Sequence, residues 1–321
     1  MTRFIFIIFT FFLLSVVLSG CNTQTRADGK ISIVCTIFPQ YDWVRQIIGE
    51  DNMDKFDLTL LIDSRVDLHS FNPSVSDIAR IKTSDVFIYV GGISDNWTEA
   101  VLRDANPEMI TMSLMELLDV QLLLDGFCDE SCDEEHDHNL AEPHADEHIW
   151  LSLRHAKTIC AAIADMLAEI DPDNAQAYRD NATAYIAKLE ALDAEYQTVA
   201  QASDVTALVF ADRFPFRYMM SDYGLAHYAA FQGCSAETEA SFITVISLAN
   251  RLDQLDLGVV MVTESSDQAI ARTVINETRA KNQKILTLDS MQSITAADIR
   301  NGMTYLSIME SNLAVLTEAL M

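Results

Sequence analysis

Cys128 to Trp150 reads CDESCDEEHDHNLAEPHADEHIW, a stretch of two cysteines, four histidines and nine acidic side chains with no lysine or arginine. Imidazole nitrogen, thiolate sulfur and carboxylate oxygen are the donors that hold divalent cations, so the chemistry on offer is metal binding. His136, His138 and His144 stand among carboxylates and make many weak, interchangeable chelating sets, each costing a polar segment a large ordering entropy. Such a loop binds a cation loosely and exchanges it fast. The same composition equally describes a solvated loop whose histidines are incidental. Cys128 and Cys132, four apart, are a disulfide pair or half of a structural zinc site, and spacing does not choose between these.

Other candidates come from strand ends, because ligands of open parallel sheets bind beyond the carboxyl ends of strands. After the strand ending near Ile62 comes DSRVDLHSFNPS, which puts His69 in a loop closed by Pro73, with Ser74 or Ser76 free to cap the next helix. Asp212 follows TALVFA, Glu264 follows GVVMVT, Asp289 follows KILTL, and His148 opens the helix-forming segment IWLSLRHAKTICAAIADML. Each residue alone is as well explained by a helix cap or a solvated loop. Together, two histidines and several carboxylates can converge on one cleft, a nitrogen and oxygen set that suits zinc and also manganese or ferrous iron.

The elements that must position them alternate. Strand-like runs at 30–37, 55–62 and 85–92 alternate with helical stretches at 40–49, 74–83 and 155–169; runs at 206–211, 257–264 and 284–289 do so with helices at 213–222, 239–254 and 266–281. This pattern predicts an α/β protein of two lobes with mostly parallel sheets, 31–170 and 204–321, the acidic loop lying at 125–147. Between the lobes, Tyr178, Ala182, Tyr185, Leu189, Leu192, Tyr196 and Val199 recur at helical spacing, with Asp171 and Pro172 as cap and first-turn proline. One long rigid linking helix over 171–203 is expected, and it would restrict hinge opening.

At the amino end, Arg3 precedes the apolar run Phe4 to Leu18, too short for a membrane span, and Leu18-Ser19-Gly20-Cys21 reads as the end of a lipoprotein signal peptide. On that reading residues 1–20 are removed, Cys21 carries the lipid, and 21–30 is a polar tether to the outer face of a bacterial cell membrane. With 48 acidic against 21 basic residues and a net charge of −27, nucleic acid is excluded as a partner and cation capture is favoured. Cys35, Cys160 and Cys234 stand among apolar or small residues and are expected as buried packing thiols.

The segments IVCTIFPQYDWVRQIIGE, DLHSFNPSVSDIARIKTSDVFIYVGG, DEHIWLSLRHAKTICAAIADML, RFPFRYMMSDYGL and ILTLDS resemble the metal-binding lipoproteins of bacterial ABC importers for zinc and manganese, the cluster A-I solute-binding proteins. The HSFNPSVSD and DEHIWLSL segments are the specific ones; strands and helices alone fit many folds. The resemblance covers essentially the whole chain after the leader and implies the metal-type periplasmic-binding-protein fold. It makes His69, His148 and Asp289 metal ligands, and a histidine-rich insertion is a feature of the family's zinc-specific branch. Where the family has a further histidine or glutamate, this chain has Ala211, which cannot coordinate a metal. Asp212 beside it is then either a ligand or an ion-pair partner of Arg213 or Arg217, with Glu237, Glu239, Glu264 or water also open for the role. The implied function is capture of Zn2+ (with Mn2+ or Fe2+ open) in the interlobe cleft by a monomeric, lipid-anchored receptor that delivers it to a membrane permease and catalyses nothing. The alternatives are a surface zinc hydrolase with Glu264 or Glu239 as general base, and an adhesion or sensor lipoprotein. Against the hydrolase, the chain has no H-E-x-x-H, G-x-S-x-G or Gly-rich phosphate motif.

Overall fold

Ile31–Cys35 (β1) carries apolar residues on both faces with only Ser32 between them, the pattern of a strand covered on both sides in a parallel sheet. Its neighbours are Phe56–Leu60 (β2) and Val86–Tyr89 (β3), and Ile110–Ser113 (β4) closes the far edge, giving the order β2-β1-β3-β4 with every pairing parallel. A second sheet, built from Ala207–Phe210 (β5), Ala226–Ala229 (β6), Val259–Thr263 (β7) and Lys284–Leu288 (β8), repeats the plan as β6-β5-β7-β8, again all parallel. The structure is a computed structural model that describes residues 29–119, 145–231 and 240–321, and within it Ile31–Met321 makes one compact unit. The expected two α/β lobes with parallel sheets are therefore present.

Two strands escape the sequence pattern. Both β4 (ITMS) and β6 (AHYA) are four-residue edge strands with partly exposed side chains, too short for a clear alternation. The helix expected over 213–222 is only Arg217–Asp222 (α7 in chain order), because Pro215 disfavours helical backbone in the residue before it. The preceding helices are Phe38–Ile48 (α1), Val75–Lys82 (α2), Trp97–Leu102 (α3), Leu114–Leu117 (α4), Leu153–Ile170 (α5) and Ala175–Ala202 (α6). Phe242–Gln254 (α8), Ala269–Glu277 (α9), Ala296–Arg300 (α10) and Tyr305–Leu320 (α11) follow.

The long helix is α6, 28 residues or ~42 Å at about 1.5 Å per residue. It starts later than its cap signal suggests: Pro172–Asn174 first make a single 3-10 turn, and Asp171 turns its carboxylate to Asn174 and the Tyr178 hydroxyl. Its buried stripe of Tyr178, Ala182, Tyr185, Leu189, Leu192 and Tyr196 follows the expected spacing. Near one end Asn181 donates to the Ile47 carbonyl of α1, and near the other Tyr196 donates to the Met309 carbonyl of α11. One helix thus packs on both lobes. No described helix is long and apolar enough to cross a membrane.

A buried polar chain ties the lobes together behind the strand ends. Trp150 Nε1 donates to the Ser290 carbonyl at 2.9 Å, the Tyr305 hydroxyl donates to the Trp150 carbonyl at 2.7 Å, and the Tyr305 amide donates to Asp42 Oδ2 at 2.8 Å. Trp43 packs edge-on against Tyr305 with ring centroids 5.0 Å apart. Cys35 and Cys160 are free and buried, as expected, while Cys234 lies outside the described residues. Tyr305→Phe leaves the buried Trp150 carbonyl without its donor and is expected to cost about 1–3 kcal/mol, read as a lower urea midpoint with unchanged far-UV circular dichroism.

Candidate metal centre

His69 sits in the loop after β2. Asp67 caps the single 3-10 turn Leu68–Ser70 by accepting the His69 amide at 2.8 Å, and buried Leu68 anchors that turn in the core. Beyond Pro73, Ser74 and Asp77 form the capping box that starts α2, so the candidate cap Ser74 is the one used and the loop is closed at both ends. His148 precedes another 3-10 turn, Ile149–Leu151, whose three side chains are fully buried, and its ring leans on Trp150 at 5.1 Å between centroids.

The two rings meet tip to tip, with His69 Nε2 3.2 Å from His148 Nε2. Two nitrogens bound to one tetrahedral zinc at about 2.0–2.1 Å stand ~3.3 Å apart, so the pair has the length of one edge of such a site. The opposite ring nitrogens are held. His148 Nδ1 lies 2.8 Å from Asp146 Oδ1, which also accepts the His148 amide at 2.8 Å. A carboxylate only accepts, so Nδ1 donates to Asp146 and Nε2 is the nitrogen turned to His69. His69 Nδ1 lies 2.6 Å from Ser94 Oγ and 3.6 Å from Glu147 Oε2.

These supports are themselves fixed. Arg217 donates to Asp146 Oδ2 at 3.4 Å and the Tyr218 hydroxyl to the Asp146 carbonyl at 2.7 Å, both from α7. Burial alone would raise Asp146, but His148 and Arg217 outweigh it and hold its carboxyl below the usual range. Glu147, 7% exposed, accepts the Ser94 amide with Oε1 and keeps Oε2 buried without a hydrogen bond on the His69 side. Gly92, at φ +81°, makes room for that carboxylate: a Cβ there would stand 2.4 Å from Glu147 Oε1.

The carboxylates of the second lobe are placed differently. Asp212 Oδ2 accepts the amide and hydroxyl of Thr263 at 3.0 and 2.8 Å, joining the ends of β5 and β7, and Oδ1 accepts the Arg213 amide. The ion pair expected between Asp212 and Arg213 or Arg217 does not form; Arg213 reaches Asp67 at 2.9 Å and Arg217 reaches Asp146. Glu264 uses both oxygens on the Ser290 amide and hydroxyl, each at 2.9 Å. Asp289 Oδ1 accepts the Met291 amide, and Oδ2 has no hydrogen bond among the described residues. Burial, then the charge of Glu264, pushes the Asp289 carboxyl up to about 6. Ala211 is buried at the end of β5 among apolar neighbours.

Of the residues singled out in the sequence, His69 and His148 are therefore brought together. Among the described residues no third histidine, cysteine or carboxylate gathers with them into a metal-holding group. Cys21, Cys128, Cys132, His136, His138, His144, Glu237 and Glu239 lie outside the described residues. The sequence reading passes over Ser94, Asp146 and Glu147. Asp146 and Glu147 stand directly before His148, and Ser94 lies just past β3, so the strand-end rule that picks out His69 also reaches Ser94.

Two parallel α/β sheets thus share one long helix, and the His69–His148 pair lies beyond the strand ends. The chain belongs to the zinc-uptake complex component A periplasmic (ZnuA) family, whose model matches residues 33–319. It is 30% identical over 302 residues to the zinc-binding lipoprotein AdcA of Streptococcus pneumoniae, covering 94% of this chain but 58% of that protein's length. It is 29% identical over 326 residues to the high-affinity zinc uptake system protein ZnuA of Bacillus subtilis, covering 99% of this chain and 97% of that protein. The Zn(II)-bound ZnuA-like domain of Streptococcus pneumoniae AdcA superposes with a TM-score of 0.72 at 27% identity, over 91% of this chain and 99% of that domain. Asp146→Ala removes the acceptor at His148 Nδ1 and one carboxylate partner of Arg217, and is expected to weaken zinc binding by roughly 10–100-fold in a competition titration against a chromogenic chelator.

Proposed function

We propose that this chain captures Zn2+ between its two lobes and delivers it to the permease of an ABC importer, performing no catalysis. The observation that carries the reading is the 3.2 Å separation of His69 Nε2 and His148 Nε2, with Nδ1 of His69 on the Ser94 hydroxyl and Nδ1 of His148 on the Asp146 carboxylate. When both rings are neutral, imidazoles so tied present two lone pairs to one cation, and buried outer partners that fix the rings raise their affinity for it. Family membership and the zinc named in AdcA and ZnuA support zinc over Mn2+ or Fe2+ as the cargo.

Asp289 is the carboxylate ligand in this reading, since it alone of Asp212, Glu264 and Asp289 keeps an oxygen free of hydrogen bonds. Asp212 serves instead as the tie between β5 and β7, and an exogenous oxygen donor completes the set that Ala211 does not. The stretch from Cys128 to Glu142, outside the described residues, collects cations loosely in this reading. Cys21 carries the lipid that keeps a monomeric receptor at the outer face of the membrane, consistent with the lipoprotein name of the pneumococcal relative. Release follows docking on the permease, which shifts one lobe slightly against the other.

Metal analysis with competition titration on the chain lacking residues 1–21 tests this. His69→Ala and His148→Ala are each expected to weaken zinc binding at least 100-fold, and Asp289→Asn about 10-fold or more. Deletion of 128–142 is expected to leave one tight site. Retention of stoichiometric tight zinc by His69→Ala would remove the cleft assignment, and loss of the tight site on deletion would move it into the loop.

A further inference from the structure

The strand order β6-β5-β7-β8 reverses direction between β5 and β7, and in doubly wound sheets such a reversal opens a crevice beyond the carboxyl ends of the strands. Here the crevice has a volume of about 460 Å³ and is flanked from the other lobe by Arg65 and Asp67. That lies within the ~300–1,000 Å³ of small-molecule pockets and is far more than a bare cation fills.

The polar groups of its wall leave donors rather than acceptors uncommitted. Three carboxylates line it, and most of their oxygens are spent. Asp67 accepts Arg213 on one oxygen and the His69 amide on the other. Asp212 is used on both oxygens as described above, and Asp267 turns Oδ1 to the Ala269 amide. Arg65, by contrast, adds by its charge to the Thr295 hydrogen bonds that lower the Asp298 carboxyl, and is otherwise uncommitted among the described residues. It is held at φ +60°, in left-handed backbone unusual for a side chain of its size, by the bridge between Ser64 and Thr295 and by the Ala296 amide on the Asp63 carbonyl. Arg213 uses one guanidinium nitrogen on Asp67, and Ser265, Ser266 and Ser293 add hydroxyls to the same wall. In a chain with 48 acidic and 21 basic residues, two guanidiniums facing one crevice stand out against the rest of the charge.

The crevice also abuts both metal-bearing segments. Asp67 joins it to the His69 turn, and Ser290, in its wall, follows Asp289 directly and takes the Trp150 indole on its carbonyl.

We propose that this crevice binds a small organic carboxylate that arrives with the cation, pairs with Arg65 and Arg213, and supplies the oxygen donor missing at Ala211. The proposal rests on the reading of His69 and His148 as a zinc-binding pair. Guanidinium is the group that recognises a planar carboxylate through two parallel hydrogen bonds, and a di- or tricarboxylate has further oxygens to offer the metal. A free inorganic oxyanion would satisfy the arginines but fill little of the volume.

Equilibrium dialysis of the zinc-loaded protein against labelled citrate, malate and histidine, and against inorganic phosphate, tests it. Saturable retention of one equivalent of at least one of the three organic probes is expected, weakened at least tenfold by Arg65→Gln, a substitution that removes no hydrogen bond or ion pair within the described fold. Arg213→Gln should weaken it as well. Absence of retention for all three organic probes, retention indifferent to Arg65→Gln, or phosphate binding as tightly as the best of them would overturn the proposal. His69→Ala separates the two readings: unchanged zinc binding by that variant in carboxylate-free buffer sinks the metal site itself, whereas a His69-dependent zinc site with no carboxylate retention sinks only the crevice.

Discussion

Trp150 is the joint on which the rest of the centre depends. It lies two residues after His148, its indole N–H is spent on the carbonyl that follows Asp289, and its own carbonyl is taken by Tyr305, whose amide is in turn held by Asp42. Every group in that chain is buried, where an unmade hydrogen bond costs about 1–3 kcal/mol, so the segments carrying His148 and Asp289 stay adjacent with little latitude. The lobes meet through a packed polar core rather than a flexible crossover, and α6 runs along both of them.

Such a frame leaves the His148 and Asp289 segments little room to move apart. A tetrahedral metal site tolerates errors of only a few tenths of an ångström, and the His69 and His148 rings are each held at the nitrogen that does not face the other ring. Asp146 bridges the lobes, accepting His148 from one and Arg217 from the other, so a relative shift of the lobes would act on His148 through its partner. Arg213 and Asp67 form the corresponding contact behind His69. Both histidines are therefore coupled to the lobe interface through a carboxylate.

Much of the fold is legible in the chain because its signals are local. The period-four-and-three stripe from Tyr178 to Tyr196 sets a helix, and runs such as ISIVC and VVMVT set buried parallel strands. The short edge strands β4 and β6 are not legible this way, since four partly exposed residues carry no periodicity and take strand form only because a neighbouring strand offers its hydrogen bonds. Pro215 explains why α7 starts late, since it disfavours helical backbone at Phe214.

The sequence by itself determined which residue types stand at strand ends, and so named His69 and His148 through spacing and through the HSFNPS and DEHIW segments. Only the tertiary structure decided that the two rings meet at 3.2 Å, that Ser94 and Glu147 support one and Asp146 the other, and that Asp212 is spent on Thr263. The reason is physical: a strand end or a turn is fixed by neighbours a few residues away, whereas several of the contacts that decide the site join distant segments, as with Asp212 and Thr263 at 51 residues and Ser94 and Glu147 at 53. Those meetings exist only once both sheets and the buried Trp150 joint have formed.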